Sequence, residues 1–122
     1  MELKSLTSIL AKADAEVAKR SLDLAYGVPQ VAWCSDVATL RASAGLPDDP
    51  VKRAKVLAVR AKLAESDAES LAGRLKDAEV SANEAVAMAR ATNDEPAEAE
   101  ATLSAGQVLR FARRSQLREL RD

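Results

Sequence analysis

Residues 54–89 read AKVLAVRAKLAESDAESLAGRLKDAEVSANEAVAMA, and this stretch decides the fold. Counted in alternating steps of three and four it gives Ala54, Leu57, Ala61, Ala64, Ala68, Leu71, Leu75, Ala78, Ala82, Ala85 and Ala89. All eleven positions are apolar and eight are alanine. Such spacing puts them on one seam of a helix that packs against another helix. Alanine on a seam lets two backbones approach closely. The surface is therefore tight and low in relief, which suits a packing element better than a pocket. Ala61, Ala64, Ala68, Leu71, Leu75, Ala78 and Ala82 form the centre of this helix-pairing seam.

A second row crosses the same stretch. Val59, Ser66, Gly73, Val80 and Ala87 recur every seven residues away from the seam, with Val56 and Leu63 beside them. A solvated face seldom reads this way. Two explanations fit: a three- or four-helix bundle that covers both faces, or a subunit interface formed by this row.

Working outward, Asp49-Pro50 is an N-cap followed by a proline at the first helical position. No proline recurs before Pro96, so the pattern predicts one helix from residue 50 to about 91, ~65 Å long, with Gly73 or Ser66-Asp67 as the place for a bend. Thr92-Asn93-Asp94-Glu95-Pro96 is a turn. A last helix is predicted from about Glu95 to Arg121, with Leu103, Val108, Leu109, Ala112, Leu117 and Leu120 as its apolar side. A short turn forces the two helices back on each other. Arg110 then falls near Lys76, Arg114 near Ala72, Arg118 near Ala68 and Arg121 near Glu65.

Toward the N-terminus, one helix is predicted over residues 3–26, with Leu3, Leu6, Leu10, Ala13, Val17 and Leu24 on its seam, interrupted by Arg20 and closed by Gly27. Another is predicted over 29–44, with Trp33, Val37, Leu40 and Ala44 as its stripe. Alternating β-branched and polar residues are absent, so no strand is expected. The fold class is therefore all-α: an elongated antiparallel helical bundle or hairpin of about four helices with an alanine-rich heptad seam. It forms a single domain over residues 1–122, with two N-terminal helices in 1–47 and a long helical hairpin in 48–122.

Composition narrows the chemistry. The chain has 122 residues, 18 basic and 19 acidic, and only three aromatic rings: Tyr26, Trp33 and Phe111. A core of Leu, Val and Ala buries less area per residue, and a thin helical layer is then marginal as a monomer. Opposite charges also balance within each third of the chain, as on solvated helix faces. The lone Cys34 allows no internal disulfide, and the longest uncharged run, Leu24 to Ser35, is too short for a membrane span of ~20 residues. These features point to no membrane association and to a cytoplasmic protein, free or within a cytoplasmically assembled particle.

With no histidine, the His-dependent triads and the usual zinc sites cannot be built. The four glycines are too widely spaced for a phosphate loop. Asp94, Glu95, Glu98 and Glu100 lack calcium-loop spacing and suit a helix N-terminus. No cofactor, metal or catalytic residue is expected. Lys52, Arg53, Lys55, Arg60 and Lys62 place positive charge early in a helix, against its dipole. Arg110, Arg114, Arg118 and Arg121 share one helical face, with Arg113 beside it. They could track a phosphate backbone or contact a partner, but cations suit a helix C-terminus and the facing helix is acidic. Trp33 reads as a core anchor and Cys34 as a small buried hydrophobe.

The function expected is that of a non-enzymatic structural or interaction protein acting through helix packing in a homo-oligomer or larger assembly, for example a virion, secretion or scaffold component. Its partner is itself or another protein. One alternative is a small nucleic-acid-binding or regulatory protein using the C-terminal arginine face. Another is a monomeric adaptor or inhibitor of one protein partner.

Overall fold

A computed structural model describes residues 3–27 and 45–121. Among them are six helices and no strand: α1 (Leu3–Ala11), α2 (Ala15–Lys19), α3 (Ser21–Tyr26), α4 (Pro50–Leu71), α5 (Leu75–Arg90) and α6 (Glu95–Glu119). The fold is all-α. The helix expected over 29–44, with Trp33 and Cys34, lies outside the described residues.

The continuous helix expected from residue 50 to 91 is corrected to two, α4 and α5. Gly73 stands at φ +82°, where an L side chain is strained and glycine is not. Its N–H reaches Ser70 O at 3.2 Å, and the Arg74 N–H reaches Glu69 O at 2.9 Å. These two bonds satisfy carbonyls that the end of α4 leaves open, and the chain reverses there. The gain is apolar burial. Val59 and Leu63 of α4 pack on Ala85 and Ala89 of α5, and the Ser66 hydroxyl donates to Ala78 O at 2.7 Å inside the interface.

The next reversal is set by side chains. Asn93 takes φ 51°. The Thr92 hydroxyl donates to Ala89 O at 2.6 Å and accepts the Asp94 N–H at 3.2 Å. The Asp94 carboxylate then accepts the Ala97 N–H at 3.1 Å, capping α6, with Pro96 in the first turn. Helix α6 returns along α5, so that Ala78 and Ala82 meet Ala105 and Val108, and Ala101 meets Ala85 and Ala89. At the other end of the chain reversal, Asp49 caps α4 by accepting the Val51 and Lys52 N–H groups.

The N-terminal helix expected over 3–26 is corrected to three short ones. Asp14 accepts the Val17 N–H at 2.9 Å, which starts a new helix in place of continuing the old one. Arg20 leaves helical geometry at ψ 11°. The broken arm turns Leu6, Ile9, Val17 and Leu24 onto Ala68 and Ala72 at the end of α4. Leu3 and Leu10, expected on the seam, are exposed. Two arginines fix the arm to the reversal: the Arg20 side chain lies over Gly73, and Arg74 donates to Lys12 O at 3.1 Å and pairs with Asp14.

Candidate interaction surface on the C-terminal helix

Helix α6 carries two faces. Ala97, Ala101, Ala105, Val108 and Ala112 are buried against the other helices. The opposite side holds Ala99, Leu103, Gly106, Arg110, Arg113, Leu117 and Leu120, spaced by fours and threes, and every one is exposed. Leu103 is 63% exposed, Leu117 55% and Leu120 84%. The apolar side expected for this helix mixed the two faces. Leu103, Leu109, Leu117 and Leu120 point away from the core, and small alanines take the inside. The four-residue spacing of those alanines was the available signal, hidden by larger leucines on the outside.

The arginines do not meet acids as the sequence register proposed. Because the chain reverses at Gly73, α4 does not extend along the end of α6. Arg110, Arg113, Arg114, Arg118 and Arg121 are all exposed, and no ion pair among the described residues includes them. Arg110 and Arg113 share a shallow groove with Glu79.

The basic run at the start of α4 has internal partners instead. Lys52 reaches Asn93 O at 3.0 Å and Asp94 at 3.6 Å, and Arg60 reaches Glu100 at 3.2 Å. Arg90 pairs with Glu98 at 3.5 Å. Lys62 lies between Glu65 and Glu84, whose hydrogen bonds hold its ammonium up to about 12. The acids at the start of α6 thus tie α6 to α4 and α5.

The predicted seam survives on α5, where Ala78, Ala82, Ala85 and Ala89 are buried. On α4 it is split: Ala64 and Ala68 are buried and Leu71 is half-buried, while Ala54, Leu57 and Ala61 are exposed. Leu75, at the start of α5, is half-buried. The heptad row proposed as a subunit interface is divided by the reversal. Val59 and Ser66 are covered inside the chain, Gly73 makes the turn, and Val80 and Ala87 are exposed on α5. These five residues therefore do not form one continuous face.

One groove of about 470 Å³ lies between α1 and the α4–α5 pair, with Ile9, Lys12, Lys62, Glu65, Glu69 and Arg74 in its wall. Glu69 Oε2 is fully covered and has no hydrogen-bond partner among the described residues. Burial pushes the Glu69 carboxyl above its ordinary range. No described helix is long and apolar enough to cross a membrane.

Comparison with protein-family models, curated proteins and solved structures returned no match.

Proposed function

We propose that this chain is a non-enzymatic structural or interaction component that works through helix packing, in a homo-oligomer or a larger assembly. The observation that carries the reading is the outer face of α6. It runs the length of a 25-residue helix with exposed leucines at intervals, and none of them joins a core cluster among the described residues. A helix of this length normally hides one apolar stripe, and α6 already hides its alanine stripe. A second stripe of leucine and arginine has the composition of a protein contact, in which large apolar groups and arginine are favoured. The core behind it is mostly alanine and valine, and further burial at this face would add what such a core lacks.

Absolute mass by light scattering over an about hundredfold concentration range tests the reading, together with co-purification from the native source. A mass above that of one chain, or a stoichiometric partner, is the expected result. A monomer with no companion protein would overturn it.

One observation favours a second reading. The five arginines near the end of α6 are exposed and have no ion pair among the described residues, which leaves them open to phosphates. Retention on duplex DNA that falls steeply with salt would support that alternative.

A further inference from the structure

We infer that two copies of this chain associate through α6, the helices side by side and pointing in opposite directions, with the twofold axis near residue 108. This rests on the assembly reading above and names its partner: a second copy. Charge carries the argument. In α6 the acids Glu95, Glu98 and Glu100 precede residue 101 and the arginines all follow residue 109, with Glu119 the one acid among them. Between them lies an uncharged stretch. Parallel pairing would set arginine against arginine. Opposed pairing sets the basic third of each helix along the acidic third of the other and also opposes the helix dipoles.

The outer row fixes the register. Leu117 falls opposite the partner subunit's Ala99, and Arg110 lies over the partner subunit's Gly106, with the small residue making room for the long one each time. Leu109, 44% exposed, meets the partner subunit's Leu109 across the axis. Arg114 comes level with the partner subunit's Glu100, so that this carboxylate, paired with Arg60 of its own chain at 3.2 Å, faces a second guanidinium. Gly106 gains a reason in this arrangement. It sits within a long helix, where glycine is unfavourable, and a Cβ there would meet nothing within 4 Å of its own chain. Nothing among the described residues requires it, whereas the stem of the facing arginine does.

The test uses the full chain and three variants, the first two checked by circular dichroism for an unchanged melt and the third, which also removes the Glu98–Arg90 and Glu100–Arg60 pairs, for retained helicity. Leu109→Glu places two like charges on the axis without touching the core. Arg114→Glu with Arg118→Glu removes the complementarity, and Glu98→Arg with Glu100→Arg reverses it on the other side. A dimeric parent is expected, with each variant alone dissociating about tenfold or more readily, and with the two charge-reversed chains pairing when mixed. Should the chain carrying arginines at 98 and 100 fail to fold, the Leu109→Glu result decides. An oligomer that all variants leave intact would overturn this pairing while leaving the assembly reading in place. A parent that stays monomeric at every concentration would overturn the pairing outright. So would a monomer held on duplex DNA through Arg114 and Arg118.

Discussion

Glu69 shows how one residue couples this fold to pH. Its side chain is caught between α4 and α5, with Oε2 covered and unpartnered. Burial raises its pKa most. The Ser81 hydroxyl, bonded to the charged form, opposes that, Glu65 and Asp77 add to the rise, and Lys62 resists it. The folded chain therefore holds this proton more tightly than the unfolded chain, whose carboxyl keeps the ordinary value of 4.5. The stability that follows is complete below that value and is lost as pH rises through the higher folded one. Glu69→Gln keeps the shape and removes the charge. Its melting temperature should exceed the parent's by about 3 °C at neutral pH, with the gap closing under more acid conditions. Melts at several pH values check this. A constant gap would mean that the carboxylate is hydrated in solution.

Between residue and molecule stand the reversals. Gly73→Ala imposes a side chain at φ +82° and brings its Cβ to 2.6 Å from Arg20 Nε. The loss should be about 1–2 kcal/mol, read as a lower denaturation midpoint at unchanged slope. Adding Arg20→Ala should recover the part due to crowding but not the part due to backbone strain. The same reversal shows what was legible in the sequence. The all-α class was readable from the three-four spacing of alanine, the cap at Asp49 from its side chain and the following proline, and the turn before α6 from Thr92-Asn93-Asp94-Glu95-Pro96. That Gly73 would turn the chain fully, and not merely bend it, was not readable. A glycine inside a helical pattern permits a left-handed residue but does not demand one. The demand comes from Val59 and Leu63 finding Ala85 and Ala89, a contact made only after the reversal. The same reason scattered the Val59–Ala87 row and freed the arginines from their expected partners. On α6 the leucines suggested the inside, but a helix packed this closely on alanine-lined neighbours admits alanine there. Trp33, the expected core anchor, lies outside the described residues.

At the scale of the molecule, the α1–α3 arm and the α4–α6 helices meet, among the described residues, chiefly through one small apolar cluster and the arginines beside it. Leu6, Ile9, Val17 and Leu24 rest on Ala68 and Ala72, and Arg20 and Arg74 bridge the arm to the turn beside them. The arm buries few apolar groups, so it should open without disturbing the rest. In the Arg20→Ala, Arg74→Ala double variant, amide exchange in residues 3–27 should quicken by about tenfold, while α4–α6 keep their protection. Equal acceleration in both regions would show that they open as one unit.

The arm's landing place also has a history in time. Ser66 finds Ala78 only 12 residues along the chain, whereas Arg74 and Lys12 are separated by 62. On the ribosome the arm is made first, and the alanines that will cover it come later. At ordinary elongation speeds, roughly 2–10 s pass between the synthesis of Leu24 and that of Ala72. Throughout that interval the nascent chain carries Leu6, Ile9, Val17 and Leu24 without Ala68 and Ala72, the described residues they rest on. The arm is thus translated before the residues that cover it and folds after them, which makes it a segment that a chaperone would meet.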